Sequence, residues 1–167
     1  AGYTTTIDAY RPEVVADRIA ALIQEHGVEE LVLLCPNCYY YLKPRIGIPC
    51  VNIYDKLKEL GIGRNIPDET VHVFVPCPDK ATKGLKTSLE AFVDGKCETI
   101  CGAQCCGLGG CAGGKEPEIS QGFRCAVRDQ GLDTVYAYCA SCTGAMTRGG
   151  VKNVHHVLVD ILGSLGA

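Results

Sequence analysis

An α/β fold built on mostly parallel strands follows from three features of the sequence. Short apolar runs suited to buried strands alternate with stretches of helical periodicity. Two of those runs end in a CxxC pair, at Cys35 and Cys38 and at Cys139 and Cys142. One stretch of pattern also recurs at a fixed offset. Hydrophobic residues make up 47% of the 167 residues and charged residues 21%, which argues against extended disorder and allows a sizeable core. The net charge of −3 gives no basic face for nucleic acid. No run of roughly 20 apolar residues spans a bilayer, and no basic leader with an apolar core opens the chain. Ala1 to Thr6 reads as a cut end.

Along the chain, Pro12 opens a helix whose apolar stripe is Val14, Val15, Ile19, Leu22 and Ile23, and Gly27 stops it. Leu31 to Leu34 is a buried strand with Cys35 at its carboxyl end, where parallel sheets place their ligands. Cys50 and Val51 start a short apolar element, and Asp55 to Leu60 is a helix closed by Gly61. Gly61 to Thr70 is polar and reads as a module boundary. Val71 to Val75 is a strand with Cys77 just beyond it, and Thr82 to Phe92 is a helix. Val93 to Ile100 is a connection or strand carrying Cys97. A glycine-rich loop runs from Cys101 to Cys111. Glu116 to Gln130 is helical, Thr134 to Tyr138 is a strand followed by Cys139, and His156 to Leu162 is a last helix.

Gly27 to Cys38 and Gly131 to Cys142 align at an offset of 104, each after a helical stretch. Asn52-Ile53 and Asn153-Val154 follow as matching pairs. A shared supersecondary unit accounts for this. Residues 1–66 read as the C-terminal half of an incomplete first module and residues 67–167 as a complete second one.

Twelve cysteines fit either a disulfide framework or a metal centre. Spacing favours metal. Cys105 and Cys106 are adjacent, and neighbours bridge each other only with strain. Cys77, Cys105, Cys106, Cys139 and Cys142 form the pattern Cx27CCx32CxxC. Thiolates are soft ligands for iron, and several together need a cationic centre to balance them. The loop glycines Gly107, Gly109 and Gly110 offer N–H groups to such a centre. Gly107 to Gly110 lacks the order of a dinucleotide fingerprint.

This pattern, with Cys105-Cys106-Gly107 and Tyr138-Cys139-Ala140-Ser141-Cys142, resembles the CCG-type cysteine-rich domain of heterodisulfide reductase and of related iron–sulfur oxidoreductases, such as the iron–sulfur component of glycolate oxidase. Cys35-Pro36-Asn37-Cys38-Tyr39 resembles the end of the first module of such proteins. Both spacers here are a few residues shorter than the family's, and Phe74-Val75 stands where its members often carry His-Asp. The resemblance implies Rossmann-like modules in a tandem pseudo-twofold repeat. It implies a [4Fe–4S] cluster, non-cubane in form and open to loss in air, held by Cys77, Cys105, Cys106, Cys139 and Cys142. Cys35 and Cys38 would be two metal ligands of an incomplete first site, either empty or filled by zinc with Cys50 or another residue. The resemblance further implies a domain or subunit of an iron–sulfur oxidoreductase that reduces a disulfide or relays electrons to a partner subunit. That places it in the cytoplasm or at the edge of a membrane complex, near small-disulfide or 2-hydroxy-acid chemistry. No residue is assigned as catalytic.

A zinc-bearing structural or interaction module is the alternative, and a CxxC thiol–disulfide enzyme is a third class that requires an exposed, acidic thiol. Cys97 and Cys101 would stack on a helical turn or add ligands, as would Cys111. Cys125 and Cys50 read as core. His155 and His156 read as a helix start rather than metal ligands, and His72 as half exposed in its strand. Tyr39, Tyr40 and Tyr41 either line a cleft or pack beside the sheet.

Overall fold

The computed structural model describes residues 10–109 and 112–163, with side chains from residue 13 onward. Helix α1 (Tyr10–Glu25) leads through Gly27, at φ 60°, to β1 (Leu31–Leu33). Helix α2 (Pro36–Leu42) follows, then β2 (Cys50–Asn52) and α3 (Ile53–Leu60). Asn52 starts α3 by accepting the N–H groups of Tyr54 and Asp55 at 3.0 and 3.1 Å, and Gly61, at φ 64°, ends it. The second part runs β3 (Thr70–Phe74), α4 (Gly84–Leu89) and β4 (Lys96–Thr99). After it come α5 (Ala112–Lys115), α6 (Pro117–Arg128), β5 (Val135–Ala137), α7 (Ala140–Arg148), β6 (Val154–His156) and α8 (Val157–Leu162).

Every strand pairing among the described residues is parallel. β1 pairs with β2, and the larger sheet has the order β4-β3-β5-β6. The chain leaves β3 toward one edge and β5 toward the other. The order therefore reverses between β3 and β5, and a crevice opens at their carboxyl ends. β1 and β5 start 104 residues apart, as do β2 and β6. Leu31 pairs with Cys50 and Val135 with Val154, so the two registers correspond. Asn52 and Asn153 do not correspond. Asn52 ends β2, whereas Asn153 precedes β6 at φ 45° and donates to the Asp133 carbonyl at 2.8 Å.

Strand alternation sorts the core. Val71, Val73, Val75, Tyr136 and Tyr138 face Leu85, Leu89 and Ile161. Phe74, Val135 and Ala137 face the opposite side, against Val127, Ala145 and Met146. Both faces are covered, as a parallel sheet requires. Tyr54 and Leu57 of α3 join the first cluster, so the loop after Gly61 does not separate two cores. A third cluster holds Ala16, Ile23, Leu33 and Cys50.

The structure also corrects two helix expectations. The single helix over 82–92 is the shorter α4 followed by a 3-10 turn, Glu90–Phe92. Its start slips to Gly84 because Lys83 takes a left-handed conformation, at φ 52°. Cys97 and Cys101 share no helical turn, since Cys97 lies in β4. Thr99 and Cys97 follow the β period there, and parallel pairing to β3 takes the backbone hydrogen bonds a helix would need.

Candidate metal centre

The crevice between β3 and β5 gathers the five predicted thiols. Beyond β3, Pro76 turns the chain into a 3-10 turn, Cys77–Asp79. Cys105 and Cys106 sit in the loop between β4 and α5. Cys139 stands in extended conformation just before α7, and Cys142 lies in that helix's first turn. Cys77, Cys105, Cys106, Cys139 and Cys142 line one cavity of about 170 Å³, together with Asn37 of the first CxxC turn. The Sγ atoms of Cys77 and Cys105 are 3.9 Å apart. Among the described residues, no three His, Cys, Asp or Glu side chains already converge as ligands of a single ion. No disulfide is present among them.

Glycine lets the loop approach α6. The Gly107 N–H donates to Cys105 Sγ at 3.2 Å. Its φ of 76° is left-handed, and a Cβ there would lie 2.4 Å from the Ser120 carbonyl oxygen. Ser120 Oγ donates to the Gly107 carbonyl at 2.6 Å, and Arg124 Nη1 donates to Ser120 Oγ at 2.8 Å. Gly110 and Cys111 lie outside the described residues.

Hydrogen bonds divide the protons unequally. Donation from the Cys142 thiol lowers Cys106 to about 6, aided by the Leu108 N–H and opposed by burial. The same thiol lowers Cys139 to about 7, with help from the N–H groups of Cys142 and Ser141. Cys142, donor to both, holds its proton far above the ordinary range. Burial, then the neighbouring Cys105, pushes Cys77 up to about 11, and the Lys80 ammonium partly offsets this. Lys80 Nζ also donates to the Ala103 carbonyl at 3.0 Å, tying the Cys77 turn to the double-cysteine loop.

Asp79 is the residue that sequence reasoning misses. It is fully buried, yet accepts from Tyr138 Oη at 2.6 Å, from the Lys86 N–H at 3.0 Å and from the Leu85 N–H at 3.2 Å. Tyr40 Oη is a fourth donor. One carboxylate thus joins the Cys77 turn, the residue before Cys139 and the helix that carries Cys38. Tyr40 therefore bonds across to the second part, while Tyr39 packs edge-on against it. Tyr54, buried and edge-on to Tyr138, leaves its hydroxyl without a hydrogen-bond partner among the described residues.

Cys35 and Cys38 do not line the five-thiol cavity. Cys35 opens instead on a second cavity of about 630 Å³, whose wall it shares with Cys139. The Cys38 thiol and the N–H groups of Cys38 and Asn37 lower Cys35 from an ordinary 9.0 to about 5, against burial. Alkylation of Cys35 by iodoacetamide, followed by peptide mass spectrometry, should therefore persist to about pH 5 and fall below it as the thiolate protonates. A rate that already collapses near pH 8 would contradict this. Cys50 is core, as expected, but Cys125 on α6 is only half-buried and Cys101 is exposed. His156 precedes α8 without capping it, His155 faces Asp160 at 3.2 Å, and His72 is half exposed beside Glu98.

Residues 71–147 match the family model of the CCG cysteine-rich domain. The match runs from β3 into α7 and contains all five cavity thiols. No curated protein matches the chain. No helix among the described residues is long and apolar enough to cross a membrane.

Proposed function

We propose that this CCG cysteine-rich domain is an iron–sulfur electron-transfer domain of an oxidoreductase, with Cys77, Cys105, Cys106, Cys139 and Cys142 as the cluster ligands. The observation that carries the reading is that all five thiols line one cavity at the reversal point of the sheet. The donor set fits an iron–sulfur group: five soft thiols, with a backbone N–H already directed at one sulfur. A structural zinc site closes with four ligands, so five thiolates exceed what zinc needs. A bound cluster would supply one-electron chemistry. The chain's own part is to hold the sulfurs, to direct Gly107 N–H at Cys105, and to keep Lys80 beside Cys77. Its counterpart would be an electron-transfer subunit. The matching offsets and registers of β1–β2 and β5–β6 support reading residues 67–167 as a complete module after an incomplete one at 1–66.

Anaerobic reconstitution with iron and sulfide, followed by metal analysis and electron paramagnetic resonance, tests this. The expected result is stoichiometric iron with a paramagnetic signal in one redox state, abolished by Cys106→Ala. Zinc bound with no iron would overturn the reading in favour of a structural module.

A further inference from the structure

We propose that Cys77 and Cys105 are a reversible oxidation site, at which a hydroperoxide joins the two sulfurs in a disulfide that closes the mouth of the five-thiol cavity and bars it to metal.

Three observations carry this. The fold opposes these two sulfurs across separate segments, with the Cys77 thiol donating to Cys105 Sγ at 3.9 Å. A bonded pair sits at about 2.05 Å, so the sulfurs must close by about 2 Å. Side-chain rotation at the exposed Cys77 covers that distance. The backbones behind them are tethered as well. Lys80, on the Cys77 side, donates to the Ala103 carbonyl at 3.0 Å, and the Gly107 N–H holds Cys105 Sγ at 3.2 Å. Exposure then ranks the five thiols. Cys77 is exposed and Cys105 half-buried, whereas Cys106, Cys139 and Cys142 are 6%, 3% and 3% exposed. A reagent from solvent meets the mouth pair before the inner three.

The chemistry balances with hydrogen peroxide as the oxidant. Cys105 Sγ, the acceptor of both bonds, attacks one peroxide oxygen. The O–O bond breaks, an S–O bond forms, and the other oxygen leaves as water with the thiol proton. Cys77 Sγ then attacks Cys105 Sγ. The S–O bond breaks, the S–S bond forms, and the hydroxyl leaves as a second water with the Cys77 proton. Two electrons pass from the two sulfurs to the peroxide. A dithiol reverses the bond by exchange.

The bridge ties the Cys77 turn to the double-cysteine loop and takes two of the five sulfurs out of use. It also covers the inner three. Those thiols are then spared the sulfinic state, which a dithiol does not reverse. The bar to metal rests on the cluster reading; the bridge itself does not.

The full chain, reduced and metal-free, is treated with hydrogen peroxide, alkylated after denaturation, digested with trypsin without reduction and read by tandem mass spectrometry. Cys77 is the sole cysteine of tryptic peptide 65–80, so fragmentation of the linked species places its partner. The Cys77–Cys105 bridge should exceed every other cysteine pairing by about tenfold or more, because access of oxidant and partner sets the rate. In Cys77→Ser, dimedone should instead trap a sulfenic acid on Cys105. The wild-type map stands even where that variant does not fold. Oxidised wild-type chain, offered iron and sulfide, should take up less than about a tenth of the iron that the reduced chain takes, and dithiothreitol should restore uptake. A dominant Cys139–Cys142 or Cys105–Cys106 bridge, or one to the exposed Cys101, would overturn the proposal. So would full iron uptake by the bridged chain. A reduced chain that takes up no iron overturns the cluster reading instead, while the bridge is still read from the peptides.

Discussion

Asp79→Ala should lower stability by about 3–6 kcal/mol, since hydrogen bonds to a charged group contribute about 1.5–3 kcal/mol each and unpaired buried donors add their desolvation cost. The carboxylate has no exposure, and Tyr138 Oη, Tyr40 Oη and the N–H groups of Leu85 and Lys86 all lose their acceptor together. Domains of this size have only about 5–15 kcal/mol to lose. With a urea slope of about 1–3 kcal/mol per molar, the unfolding midpoint should fall by about 1 M or more. Asp79→Asn keeps one acceptor oxygen and should lose roughly half as much. A midpoint for Asp79→Ala within about 0.2 M of wild type would show that the network contributes little.

Gly107→Ala should weaken metal binding at the five-thiol cavity by about 10–100-fold. An L-residue in the left-handed conformation costs about 1–2 kcal/mol. The larger penalty is steric: the new Cβ would meet the Ser120 carbonyl oxygen at 2.4 Å and Ser120 Oγ at 2.7 Å. Both belong to α6, which is anchored to the loop by the Ser120–Gly107 hydrogen bond. The loop must therefore move, and Cys105 and Cys106 move with it. Metal affinity should drop by about 10–100-fold, the range seen when groups supporting the ligands are lost. Gly109→Ala is the matched control, because among the described residues no atom beyond its chain neighbours lies within 4 Å of its Cβ position. Competition with a chelator, read by metal analysis, separates the two variants. Equal retention of metal by both would mean the loop tolerates the shift.

Much of this architecture is written in local pattern. β1 and β3 are legible because Leu31-Val32-Leu33 and Val71 to Val75 are short, largely apolar runs that open after polar residues, Glu30 and Thr70. The five-thiol cavity is legible because Cys77 and Cys139 immediately follow apolar runs, and parallel strands bring such positions to one edge. Helices α2 and α7 are not. Tyr39-Tyr40-Tyr41 and Thr143-Gly144 carry neither apolar periodicity nor helix formers, and the CxxC turn sets those helices instead. Asp79 leaves no trace in the sequence either. A single acid after Pro78 has no signature, and its partners lie 39 and 59 residues away. The half-buried state of Cys125 follows from its place on α6, whose phase an apolar count around it does not fix.

The pairing of β3 with β5 also sets an order of events as the chain folds. Val73 meets Tyr136 across more than sixty intervening residues, and loop-closure entropy must be met before that contact is rewarded. Cys105 and Cys106 are close in sequence, and so are Cys139 and Cys142, but Cys77 reaches them only when the central strands join. The cavity is thus among the last features to exist. Until then its thiols are exposed to oxidation and to mispairing with the other cysteines. The speed of β3–β5 docking, rather than the affinity of the finished site, then decides how much protein reaches a state able to accept metal.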